Sequence, residues 1–243
     1  MKYFAVSDTH GFTTQFRRAV RESGFERGNP DHMLVHLGDC FDRGYENAEM
    51  LDYLDTIKNK IMIRGNHEDL LLNIFDSGRI GLRDLHNGTN ITFAQFFGQE
   101  SIDPEGKVST AADPGTERRI RGFIAGMRDY YETANYIFVH GWVPLDTGSD
   151  AASAVLPDWR CAGENEWKTA RFLEWQQTYA KGLTLPDKTV VCGHRPATFG
   201  YYFDPSRAPD DPSAFYGKGV IAIDATTARS GKVNLIVIED DPA

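Results

Sequence analysis

The sequence predicts an α/β fold in which a central pair of mixed β-sheets is flanked by helices. Three observations predict it. Apolar runs of strand length alternate with segments whose apolar residues recur at helical spacing, which is the pattern of βαβ units. The 243 residues, 41% hydrophobic and 25% charged, suit one large α/β domain over 1–243 with its own core. Five of the apolar runs end in Asp, Asn or His beside Gly, and ligands of open α/β sheets gather at strand C-termini.

The first strand, 2–7, contains Lys2-Tyr3-Phe4-Ala5-Val6 and closes on Ser7-Asp8-Thr9-His10-Gly11. A helix near 12–24 follows, with Phe16, Ala19, Val20 and Phe25 on one face and Arg17, Arg18 and Arg21 on a solvated one. Strand 33–37 runs into Gly38-Asp39-Cys40-Phe41-Asp42-Arg43-Gly44, a Gly-bounded loop holding two carboxylates and a guanidinium. There Asp39 can offer oxygens to two cations, and Arg43 a planar fork to a phosphate. A helix near 47–57 carries Ala48, Leu51, Leu54 and Ile57. Strand 60–63 leads to Arg64-Gly65-Asn66-His67-Glu68, and a helix near 67–75 ends at Gly78. The crossovers should be right-handed.

Residues 76–132 break the alternation with short helices, loops, an Asn87-Gly88 turn and the breakers Pro104, Pro114 and Gly115. They read as a cap inserted over the site. Their basic segment, with Arg118, Arg119 and Arg121, is either a solvated helix face or a receiver for further anionic groups of a substrate. Strand 136–140 restores the pattern and ends in Val139-His140-Gly141. Residues 144–163 read as loop. A helix near 164–180 places Trp167, Phe172 and Trp175 in the core. Strands follow at 188–192, closing on Val191-Cys192-Gly193-His194, and at 201–203, 219–223 and 233–238, with a surface loop over 204–218.

A net charge of −9 argues against nucleic acid as the main partner. A phosphate would then need local positive charge from metal ions and arginines. Cys40, Cys161 and Cys192 show no CxxC spacing, which suits a reducing cytoplasm, with Cys40 and Cys192 as small buried residues. No signal-peptide pattern precedes the first strand, and no apolar run approaches membrane-spanning length. A cytoplasmic monomer without membrane association is expected.

Taken together, the five strand-end motifs resemble the metallophosphoesterase (calcineurin-like) superfamily, in family order from Asp8 to His194. Asp42-Arg43-Gly44 and Gly65-Asn66-His67-Glu68 are similar to PPP-type serine/threonine protein phosphatases of bacterial and phage type. The resemblance implies a calcineurin-like two-sheet β-sandwich flanked by helices. It also implies two divalent transition-metal ions, with Asp8 and His10 on one, Asn66, His140 and His194 on the other, and Asp39 bridging. The mixed nitrogen and oxygen ligands favour Mn²⁺, Fe or Zn²⁺, Mn²⁺ first. Such a pair clamps the attacking and leaving oxygens of an in-line displacement. By the same resemblance His67 is the general acid, Asp42 orients it, and Arg43 holds phosphoryl oxygens. The family's second phosphate-binding arginine is assigned to Arg171 in Trp167-Lys168-Thr169-Ala170-Arg171, with Arg160 as the other candidate. His32, His36 and His86 lack motif neighbours and read as ordinary polar residues.

The implied activity is hydrolysis of phosphomonoesters, on a phosphorylated protein or small phosphate ester, foremost as a serine/threonine phosphatase. A dinucleoside polyphosphate hydrolase shares these motifs, and a non-catalytic scaffold is the third alternative. Ser7 replaces the family's usual Gly before Asp8 without removing a ligand.

Overall fold

A computed structural model of the chain describes residues 1–146 and 154–243. In chain order come β1 (Lys2–Val6), α1 (Thr13–Glu22), β2 (His32–His36), α2 (Asn47–Asp55), β3 (Lys60–Met62) and α3 (Asn66–Ser77). The inserted stretch holds α4 (Leu82–Asn87), α5 (Thr89–Phe97), a 3-10 turn and α6 (Pro114–Ala125). Then follow β4 (Tyr130–Glu132), β5 (Tyr136–Val139), β6 (Leu145–Asp146), β7 (Ala154–Val155), α7 (Glu164–Ala170) and α8 (Trp175–Ala180). The chain closes with β8 (Thr189–Pro196), β9 (Phe215–Gly217), β10 (Val220–Asp224), α9 (Thr227–Ser230) and β11 (Leu235–Glu239).

Two mixed sheets form the centre, as expected. One has the order β11-β1-β2-β3, the other β4-β5-β8-β10-β9. β1, β2 and β3 run parallel, as do β5, β8 and β10, and the outer strands β11, β4 and β9 pair antiparallel. The period-two alternation of side chains divides the apolar residues into three layers. Tyr3, Ala5, Val35 and Leu37 meet Phe138, Val191, Ile221 and Ile223 between the sheets. Phe4, Val6 and Leu34 point the other way, onto Phe16 of α1 and Met50, Leu51 and Leu54 of α2. On the far side, Val139, Val190 and Cys192 pack under Trp167 and Trp175.

This packing aims the C-terminal ends of both parallel sets at one edge of the sandwich. The inserted stretch is part of the packing too: Ile120 and Ile124 of α6 belong to the same apolar cluster as α1 and α2. Its Asp113 caps α6 by accepting from the Thr116 amide at 3.0 Å, with Pro114 at the first helical position.

Five expectations differ. The end of the inserted stretch 76–132 forms β4, an edge strand antiparallel to β5, rather than loop or short helix. Residues 201 and 202 lie in a 3-10 helix with 197–200 rather than a strand, and Phe203 follows its end. The helix expected over 164–180 is two, α7 and α8, interrupted at 171–174. The expected loop 144–163 contains the β6–β7 pair, and its residues 147–153 lie outside the described ones. β9 emerges from the loop over 204–218 because it pairs with β10.

Candidate active site

The sequence-nominated residues converge from separate strand ends. Asp8 and His10 follow β1, and Asp39, Asp42 and Arg43 follow β2. Asn66 and His67 open α3 after β3, while His140 follows β5 and His194 lies at the end of β8. Among the described residues, the non-glycine positions with positive φ are Asp8, His10, Asp39, Asp42, Arg43, His194 and Thr226. All but Thr226 were nominated from sequence. Such backbone costs about 1–3 kcal/mol per residue and persists where surrounding contacts impose it.

Those contacts are backbone stitches between neighbouring loops. The Asp8 amide donates to Gly38 O at 3.1 Å, His10 N to Asp39 O at 3.0 Å and Gly193 N to His140 O at 2.8 Å. Glu68 fixes the β2 loop by accepting from the amides of Asp39, Cys40 and Gly65 at 2.8–2.9 Å. The fit leaves no room for a Cβ at Gly65 or Gly193. The first would collide with Asp39, the second with Ser7 and Asp8. Ser7 in turn donates its hydroxyl to Asp8.

Two ligand groups result, and Asp39 belongs to both. His10, Asp39 and His67 present donor atoms within 4.8 Å of one another, as do Asp39, His140 and His194. Asp39 Oδ2 lies 3.8 Å from His10 Nε2, and its Oδ1 lies 3.3 Å from His140 Nε2. Asp8 Oδ1 is 4.0 Å from His10 Nε2, and Asn66 Oδ1 is 2.9 Å from His140 Nε2. Second contacts fix the rings: His10 Nδ1 bonds Phe41 O at 2.9 Å and His140 Nδ1 bonds Leu37 O at 2.7 Å. Each ring therefore turns its Nε2 inward.

The electrostatics of this arrangement suit a cation. Burial and the neighbouring Asp224 push the Asp8 pKa well up. Burial, Asp8 and Glu68 do the same to Asp39. Burial and the surrounding cationic groups push His10 and His140 well down, and His194 to about 4. Crowded, buried carboxylates facing neutral imidazoles are the donor set that a divalent transition-metal ion stabilises, and the residues present fit such ions.

His67 belongs to the first of these groups, and Arg43 stands beside it. His67 Nδ1 bonds Asp42 Oδ2 at 2.7 Å, and its Nε2 lies 3.7 Å from Asp39 Oδ2 and 3.3 Å from Arg43 Nη2. Asp42 is fully buried, whereas Arg43 is exposed at the mouth.

Residues 1–223 match the family model of calcineurin-like phosphoesterases. The chain belongs to the calcineurin-like phosphoesterase family. No curated protein matches it. Among solved structures, this phosphoesterase is similar to a candidate diadenosine tetraphosphatase at 17% identity, TM-score 0.59, covering 98% of this chain and 89% of that one. A Saccharomyces cerevisiae protein serine/threonine phosphatase aligns at 13% identity and TM-score 0.54, over 100% and 80% of the two chains. A cold-active protein-tyrosine phosphatase of a psychrophilic Shewanella species aligns at 14% identity and TM-score 0.52, over 98% and 75%. These likenesses concern the fold, and family members use divalent metal ions.

The phosphoesterase places two nominated groups differently from the sequence reading. Arg171 is buried, and its guanidinium is paired with Asp69 at 3.0 Å, Asp129 at 2.5 Å and Glu164 at 3.4 Å. Arg160 forms a two-bond pair with Glu132. Neither offers a free fork to a phosphate, because carboxylates already occupy both. In the insertion, Arg119 pairs with Asp52 and Asp55, and Arg121 with Asp76 and Glu117, so these two tie α6 to the body. The site-facing part of the insertion is α4 and α5. Arg83 lies over the Phe172 ring at 5.4 Å, and that ring meets the His194 ring edge-on at 6.0 Å.

Sequence reasoning missed four participants. Glu68 stood inside a motif, yet its fixing of the Asp39 loop depends on backbone geometry. Asp224, at the end of β10, is buried, and burial raises its pKa to about 6. It lies within electrostatic reach of Asp8, His67 and Arg43, and the strand end Ile223-Asp224-Ala225 was its available signal. Thr89 and Thr92 both donate hydroxyls to Asp42, a contact across 47 and 50 residues that no local pattern announces.

Proposed function

We propose that this metallophosphoesterase hydrolyses phosphomonoesters whose leaving group is a basic alkoxide, as in phosphoserine or phosphothreonine. The carrying observation is the His67–Asp42 pair at 2.7 Å beside a carboxylate, Asp39, common to two ligand groups. Asp8, His10, Asp39, Asn66, His140 and His194 would hold two divalent ions, with Mn²⁺ the first choice. Bound divalent cations supply water of lowered pKa as nucleophile and neutralise charge on the phosphoryl oxygens.

The chain's own groups do the rest. Arg43, exposed at the mouth, receives two phosphoryl oxygens in bidentate fashion. His67 Nε2 carries the proton given to the departing oxygen, while Nδ1 stays on Asp42 and fixes the ring. A general acid matters most for a basic leaving group, and a nucleotide phosphate departs with far less help. Of the three arginines in the insertion's basic segment, Arg119 and Arg121 are paired with carboxylates, which leaves only exposed Arg118 of the three to meet extra phosphates.

One observation favours a second reading, a dinucleoside polyphosphate substrate. Arg83 is exposed on α4 and lies over Phe172 beside His194, where it can meet a phosphate beyond the reacting one. Turnover of a phosphoserine peptide against a dinucleoside tetraphosphate, with Mn²⁺ present, separates them. A larger kcat/KM for the peptide is expected, and the reverse order overturns the first reading in favour of the second.

A further inference from the structure

We propose that Thr89 and Thr92, from the inserted segment, are positioning residues for the acid: the first turn of α5 clamps the Asp42 carboxylate in the orientation that aims His67. The inference rests on the reading of His67 as proton donor. Thr89 Oγ1 donates to Asp42 Oδ2 at 2.7 Å, the same oxygen that meets His67 Nδ1 at 2.7 Å. Thr92 Oγ1 donates to the other oxygen, Oδ1, at 2.7 Å and accepts the Asp42 amide at 3.0 Å. All four side chains are buried. A carboxylate held by one oxygen can still swing about its terminal torsion. Held by both, it has one plane, and that plane sets the direction of the imidazole.

The helix is built for this contact. Thr89 and Thr92 are three residues apart, so their hydroxyls share one face of α5. β-branching restricts each to few rotamers, which keeps the donors aimed. The turn before them, Gly88 at φ +80°, sits so close to the Arg43 backbone that a Cβ there would lie 2.9 Å from Arg43 N. The start of α5 is thereby seated on the Asp42-Arg43 turn, whose two residues carry φ values of 75° and 63°. The insertion thus contributes to the chemistry as well as roofing the mouth. Neither threonine need touch substrate, since both act through Asp42 and His67.

The test compares phenyl phosphate, whose leaving group is basic, with 4-nitrophenyl phosphate on Mn²⁺-loaded enzyme. Thr89→Val keeps the branched shape and deletes the hydroxyl. It is expected to lower kcat roughly tenfold or more on phenyl phosphate and several-fold less on 4-nitrophenyl phosphate, with KM shifting less than about twofold. Thr89→Ser restores the hydroxyl and should return the ratio of the two rates to that of the parent. Thr92→Val removes support from the Asp42 backbone as well, so the deciding comparison is Thr89→Val against Thr89→Ser. Equal losses on both substrates, a change in KM alone, or a Thr89→Ser as defective as Thr89→Val overturns the inference. His67→Asn measured alongside separates the two claims. If it leaves the ratio of rates unchanged, the acid reading falls and takes the inference with it. If it changes the ratio and Thr89→Val does not, the inference falls alone.

Discussion

His67 Nδ1 lies 2.7 Å from Asp42 Oδ2, with both groups buried beside the carboxylate of Asp39. This pairing fixes which nitrogen faces the mouth and leaves Nε2 for the proposed delivery of a proton. His67→Asn should therefore cost about 10²–10⁴-fold in kcat on phenyl phosphate, and much less on an aryl phosphate with an acidic phenol. Asp42→Asn should follow the same pattern with a smaller loss. A leaving-group series measured on each variant checks it, and parallel losses across the series would remove His67 from the acid role.

The buried Arg171 network gives a stability prediction. Arg171 is 3% exposed and Asp69 is 4% exposed in their side chains, so removing the arginine strands a carboxylate away from water. Breaking such a buried pair typically costs about 3–5 kcal/mol. Arg64 also holds Asp69, at 2.5 Å, and places Arg171→Gln at or below the lower end of that range. Urea unfolding should show a lower midpoint with an unchanged slope. An unchanged midpoint together with a raised KM would restore Arg171 as a phosphate binder.

Arg119 and Arg121 form exposed or half-exposed pairs, and such pairs are worth about 0–1 kcal/mol. Replacing both with Gln should shift stability by no more than that per pair and leave KM unaltered on any substrate. Arg83→Ala, by contrast, should raise KM for a dinucleoside tetraphosphate more than for an aryl phosphate, because lost binding away from the reacting centre appears there. Steady-state kinetics on the two substrates decides between these arginines.

His36 sets an acid limit on stability. It is fully buried inside β2, with Nε2 2.9 Å from Thr9 Oγ1, and burial lowers its pKa from 6.5 to about 3. The unfolded chain takes up this proton first as pH falls. The stabilisation is therefore complete above about pH 6.5 and is lost progressively between pH 6.5 and about 3. His36→Asn should lower the melting temperature at pH 7.5 and flatten its decline between about pH 6.5 and 4.5. A parallel decline in parent and variant would clear His36 of the effect.

The legible part of this molecule is the part encoded locally. A motif such as Gly65-Asn66-His67-Glu68 carries its turn and its candidate ligand together, so strand ends and candidate ligands were readable from residues a few positions apart. β4 and β9 were not, because three-residue edge strands exist only through their neighbours. Tyr201, Tyr202 and Phe203 have the β propensity that predicted a strand, yet tertiary packing puts Tyr201 and Tyr202 in a 3-10 helix that ends at Phe203. Arg171 looked like a phosphate ligand because its carboxylate partners Asp69 and Asp129 lie far away in sequence. Thr89 and Thr92 were hidden for the same reason.

The central claim is a pair of ions sharing Asp39, and metal analysis of the Mn²⁺-loaded, gel-filtered protein tests it most directly. The parent should retain about two Mn²⁺ per chain and Asp8→Asn about one. Asp39→Asn should fall below about one, because its carboxylate faces both ligand groups. A parent that retains one ion or none, or an Asp39→Asn variant that keeps two, would contradict the account.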